Sequence, residues 1–176
     1  MKSLTPVQRM YHDNKYILEH LRNERQFSFH ASLQTTLPKV LLLAAASEFE
    51  EGVSETIRDY IREHATDDNK ILELVNQKAI HRNYHSLFDW NARNATNFWA
   101  LFGSGFKSGM RKYCQGRADL TRSISAFMEI GSLRNYLVHN NYAIAVLDKT
   151  VDEVYDVYEQ GRPFVEELPQ LLRMSF

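Results

Sequence analysis

FMEIGSLRNYLVHNN, residues 127–141, carries Arg134, Asn135 and His139 close together near its end. Apolar side chains recur at helical spacing through and ahead of it, at Leu120, Ile124, Phe127, Ile130, Leu137 and Val138. That pattern predicts one amphipathic helix over about 119–139, closed by Asn140-Asn141 in a left-handed cap. Arg134 falls inside the apolar arc, beside Phe127 and Ile130. An unpaired guanidinium buried there costs about 3–5 kcal/mol, so it either snorkels out to water, has a carboxylate partner, or faces a polar pocket. Asn135 and His139 are one turn apart. With Ser125, Met128, Ser132 and Tyr142 they form a small, polar seam, and Gly131 beside it would let another backbone approach.

Much of the remaining chain also reads as helix. Thr5-Pro6 is a helix start, followed by Val7, Met10, Ile17, Leu18 and Leu21 at helical spacing to about Arg25. A polar connection then leads to Pro38, near the start of a second helix that runs to about Ala65. Leu42, Ala46, Phe49, Val53, Ile57, Tyr60 and Ile61 share its apolar face, while Glu48, Glu51 and Glu55 point away. Glu50 is the one acid inside that face, and so the expected partner of Arg134. Asp67 and Asp68 can cap a short helix to about Lys78. Residues 81–117 read as an irregular insertion or lid, with short helices near 95–102 and 106–114 broken at Gly103-Ser104-Gly105. Thr150 to Glu153 is a capping box for a last helix, kinked near Gly161-Arg162-Pro163. The fold class is all-α, a helical bundle forming one domain over 1–176.

Composition narrows the function classes. Charged residues are 24% of the chain and the net charge is −1, so no overall basic field attracts nucleic acid. Any contact with a polyanion must be local, and Lys107, Arg111, Lys112 and Arg117 form the most basic segment. The lone Cys114 excludes an internal disulfide and suits a reducing compartment. No apolar signal core opens the chain. Its longest apolar run, Val40 to Ala46, is too short for a bilayer, so a cytoplasmic protein without membrane contact is expected. His81 and His85 have a metal-compatible spacing, but no acidic or Cys partner stands nearby, and neither metal nor cofactor is expected. The aromatics Phe88, Trp90, Phe98, Trp99 and Phe102 suit either packing of the insertion onto the core or stacking of unpaired bases.

The chemistry of the opening stretch is specific. A histidine titrating near neutrality transfers protons, an arginine holds a phosphate bidentately, and an amide orients either. Together they suit attack of an RNA 2′-hydroxyl on its adjacent phosphate, a reaction that needs no metal. A second proton-transfer group is missing, and a two-fold dimer that brings two seams together would supply it.

Arg134-Asn135-Tyr136-Leu137-Val138-His139 matches the R-x4–6-H motif of the HEPN superfamily, with the polar residue that often follows its Arg. The stretch LLLAAASEFEEGVSETI, residues 41–57, with its Phe49-Glu50 pair, resembles the second helix of prokaryotic HEPN-like nucleases of the RiboL-PSP/MAE-like subgroup. The resemblance covers roughly 35–65 and 118–170. It implies a homodimer with a composite site and metal-independent endoribonuclease activity. Arg134, Asn135 and His139 would be catalytic, with Glu50 in support. It also implies toxin–antitoxin or phage-defence settings, in which an antitoxin or sensor protein is the partner. The alternative is a non-catalytic HEPN module that binds RNA, a nucleotide or another protein.

Overall fold

The computed structural model describes residues 3–64, 69–80 and 83–176. Among them every regular element is helical, as the spacing of apolar residues predicts.

The first helix, α1 (Pro6–Asn23), starts on a capping box: the Gln8 amide donates to Thr5 Oγ1, and the Thr5 amide to Gln8 Oε1 at 2.8 Å. It ends in a Schellman-type turn. Arg25 takes a left-handed φ of 56°, and the Gln26 amide donates back to the Leu21 carbonyl at 2.8 Å. After that turn α2 (Phe27–His64) begins, well before Pro38. The polar connection expected ahead of Pro38 is therefore helical, and the proline lies inside the helix with its ring buried. His30, Leu33, Leu37, Pro38 and Leu41 make a sheltered stripe at spacings of three and four, and packing along it against α1 overrides the cost of the proline.

Residues 69–80 form α3 (Asn69–Val75) and a π-helical turn over Asn76–Ile80. The expected Asp67 and Asp68 cap lies outside the described residues. A single 3₁₀ turn, Tyr84–Ser86, and loops lead to α4 (Thr96–Ala100) and α5 (Ser104–Gln115), with the turn between them at Gly103. Phe88, Phe98 and Trp99 are buried and stack into the core, so most of this segment's aromatics serve packing.

The centre of the molecule is α2 against α6 (Ala118–His139) and α7 (Val151–Leu172). Phe49, Phe127, Tyr158 and Phe164 supply its rings. Gly161 makes the close crossing, because a Cβ there would sit 3.0 Å from the Phe127 backbone nitrogen and the Phe49 ring. Two residues on, Pro163 removes an amide from the α7 ladder. Ser123 of α6 reaches into that place: its hydroxyl accepts from the Phe164 amide at 2.8 Å and donates to the Gly161 carbonyl at 3.2 Å. With this support α7 runs unbroken through the expected kink position.

Glu48 does not point away from the core. It is half-buried and accepts the Tyr158 hydroxyl at 2.5 Å, while Thr5 Oγ1 lies 2.7 Å from the same hydroxyl. This tie joins the starts of α1, α2's middle and α7. Burial and the Glu48 charge push the Tyr158 phenol well above its ordinary pKa.

Candidate functional site

The opening stretch is the C-terminal half of α6, and its residues go from buried to exposed along the helix. Phe127, Met128 and Ile130 are buried, Arg134 and Asn135 half-buried, and His139 exposed. Two sequence expectations shift here. Met128 belongs to the core rather than the polar seam, and Val138 is 55% exposed rather than part of the apolar arc. The left-handed cap is absent too. Asn140 is extended, with φ −114° and ψ 111°, and its side-chain amide donates to the Tyr136 carbonyl at 2.8 Å. The same carbonyl also accepts the Asn140 backbone amide at 3.0 Å, so α6 closes without a backbone reversal and the chain leaves it past His139 in extended form.

Two clefts meet on this helix. The first, of about 20 Å³, is a narrow slot lined by Glu50, Tyr84, Trp90, Gly131, Arg134 and Asn135, with Phe49, Phe127 and Ile130 as its apolar floor. The second, of about 470 Å³, is lined by Asp89, Trp90, Ser132, Asn135, Tyr136 and His139. Asn135 and Trp90 belong to both. Arg134 thus faces one cleft, His139 the other, and the amide between them reaches each. Arg134 donates to Asn135 Oδ1 at 3.1 Å, so the amide already orients the guanidinium.

The expected Glu50–Arg134 ion pair is not formed, although both side chains line the first cleft. Both are half-buried and keep contact with water, so solvent screens each charge and neither requires the other. Their joint influence falls on Tyr84, whose phenol is driven far above its ordinary pKa by burial, raised further by Glu50 and partly relieved by Arg134.

Gly131 is needed for a different reason than a neighbouring backbone. A Cβ there would overlap the six-membered ring of Trp90. A glycine inside a helix costs about 0.5–1 kcal/mol relative to alanine, and here it seats an indole against the motif helix. The indole Nε1–H donates to the His85 carbonyl at 2.7 Å, which fixes the ring. Trp90 is the member of this site that periodicity could not single out, since it stands among other aromatics in a segment without helical pattern.

The remaining sequence candidates sit elsewhere. At about 1.5 Å per residue, the start of α6 lies about 25 Å along the axis from Arg134. Arg117, at that start, is committed to Asp119 at 2.7 Å and Glu167 at 3.2 Å. Lys107, Arg111 and Lys112 lie on α5, which joins α6 at this same far end. None of the four lines either cleft. His81 lies outside the described residues, and His85 is exposed beside the first cleft.

No helix among the described residues is long and apolar enough to cross a membrane. A search of curated proteins and a search of solved structures found no match. The RiboL-PSP-HEPN family model matches residues 8–173, nearly the whole length. HEPN domains commonly include ribonucleases, and they often bind RNA and dimerise. An all-α bundle with an Arg-Asn-x3-His stretch ending its central helix, matched from within α1 to the first residue after α7, belongs to the RiboL-PSP-HEPN family.

Proposed function

We propose that the chain is a metal-independent endoribonuclease acting through a ribose 2′-hydroxyl, in a homodimer with a composite site. The observation that carries this reading is the meeting of two clefts at Asn135, with Arg134 in one and an exposed His139 in the other. In the reaction the 2′-oxygen bonds to phosphorus and the bond from phosphorus to the next nucleotide's 5′-oxygen breaks. The products are a 2′,3′-cyclic phosphate and a 5′-hydroxyl. His139 transfers a proton, taking it from the 2′-hydroxyl or giving it to the leaving oxygen. Arg134 binds the non-bridging phosphate oxygens as their charge develops. Asn135 holds the guanidinium in place, and Glu50 supports the same cleft.

One imidazole serves one proton transfer at a time. A second copy of the chain, placed across a two-fold axis at this end of α6, contributes the second His139. What supports this arrangement is the set of exposed apolar side chains around it: Tyr136 at 45%, Val138 at 55%, Ile144 at 76% and Val146 at 75%. Such exposure beside a functional group marks an interaction surface. In a toxin–antitoxin or phage-defence setting, a cognate antitoxin or sensor protein would control access to it.

The full chain is expected to cleave RNA in excess EDTA. His139→Ala, with its oligomeric state unchanged in size-exclusion chromatography, should lose about a hundredfold or more of that rate. Undiminished cleavage by His139→Ala overturns the reading. So does a clean wild-type preparation that cuts no RNA and whose expression does not slow growth, a result that favours the non-catalytic binding module.

A further inference from the structure

Resting on the ribonuclease reading, we infer that Trp90 is a nucleobase platform, which seats an unpaired base of the substrate between Arg134 and His139. Of the aromatics from Phe88 to Phe102, Phe88, Phe98 and Trp99 are buried at 5%, 0% and 3% exposure. Phe102 packs on Tyr60, Phe98 and Phe106. Trp90 is half-buried, and of these rings it alone lines both clefts of the motif.

Three features distinguish it from a core ring that reaches the surface by chance. The motif helix carries a glycine at 131, where any side chain would collide with the indole. The ring's one polar atom is already satisfied, by the His85 carbonyl at 2.7 Å, so its orientation is fixed before a ligand arrives and little ordering cost remains. Its flank is braced by Tyr84, Phe88 and Phe127, with centroids 5.8, 5.0 and 5.8 Å away. A rigid indole beside a phosphate-binding arginine can stack any base, because every base has a π-face, but it reaches only a base that is not paired. Trp90 would therefore make the site select unpaired RNA without reading its sequence. Asn135, common to both clefts, is placed to meet the sugar–phosphate of that nucleotide.

The test uses the full chain with Trp99→Phe, which leaves Trp90 as the sole tryptophan, and His139→Ala to stop turnover. The probes are a single-stranded oligonucleotide with 2′-O-methyl riboses, the same strand annealed to its complement, and the strand made abasic. Single-stranded probe should quench Trp90 emission, while duplex and abasic probes should not. In the otherwise wild-type chain, Trp90→Phe should keep cleavage within a few-fold. Trp90→Leu should weaken single-strand binding and kcat/KM by about ten- to hundredfold, with the preference for single strand over duplex largely lost. Binding of the single strand without quenching overturns the inference, and so does a Trp90→Leu chain with wild-type preference. Both results leave the ribonuclease reading standing, with Trp90 as a structural wedge only. Wild-type chain that neither binds nor cuts RNA overturns both.

Discussion

Gly131 and Trp90 show how much one missing side chain contributes to this site. The absent Cβ lets the indole lie against α6 one turn before Arg134, and so shapes both clefts at once. Gly131→Ala raises helix propensity at that position yet forces a methyl into the ring's place. The expected outcome is a loss of about 1–3 kcal/mol, the range for overpacking a close contact, read from urea unfolding. A red shift of Trp90 emission should accompany it as the indole moves toward water. A stabilised protein with unchanged emission would show that the ring is not held where the structure has it. The sequence signals Gly131 as a place of close approach, but it does not name the partner. Trp90 is 41 positions away in sequence, and no spacing rule links a loop residue to a helix face. Arg134 and Glu50 were legible as two charges turned toward one place. That they share a cleft without pairing depends on their partial exposure, which a helical wheel does not measure.

Among elements, the starts of α1 and α7 were legible in the sequence, because side-chain capping is a local event. Thr150 and Glu153 form the reciprocal bonds their spacing implies, and Thr5, expected to start α1, forms the same pair of bonds with Gln8. Prolines were less legible. Pro38 reads as a helix start and is an interior residue, while Pro163 is accommodated by Ser123 from another helix. Removing that hydroxyl leaves the Phe164 amide buried without its partner. Ser123→Ala should therefore cost about 1–3 kcal/mol, measured as a lower urea midpoint with an unchanged m-value. No loss of stability would mean that α7 tolerates Pro163 unaided. The start of α6 supplies a pH-dependent element. Hydrogen bonds from the Arg117 side chain, and then from the Leu120 amide, lower the Asp119 carboxyl from its ordinary value to about 2. A group whose folded pKa lies below its unfolded value stabilises the fold fully above the unfolded pKa of about 3.9. That contribution is lost as pH falls through about 2. Denaturation midpoints measured from pH 5 to pH 2 should fall less steeply for Asp119→Asn than for wild type. Parallel curves would show that the Arg117 contact is not maintained in solution.

For the whole molecule, the all-α class followed from periodic apolar residues and few glycines and prolines, and the RiboL-PSP-HEPN match spans the same helices. Charge placement separates two ends of the bundle. One end holds Arg117, Asp119 and Glu167 in ion pairs, with Lys112 and Arg111 nearby on α5. The other holds Arg134, Asn135 and His139 among exposed apolar side chains. With a net charge of −1, the proposed attraction of RNA rests on local charge, and at the second end Arg134 donates to the neutral Asn135 amide rather than to a carboxylate. The chemistry assigned to that end leaves a distinctive signature in its products. The most direct measurement is the identity of the cleaved ends, from RNA and from the same strand with a single 2′-deoxy ribose at the cut position. RNA should yield a 2′,3′-cyclic phosphate and a 5′-hydroxyl, with no cut at the deoxy position. Products bearing a 5′-phosphate, or cleavage that persists at the deoxy ribose, would contradict it.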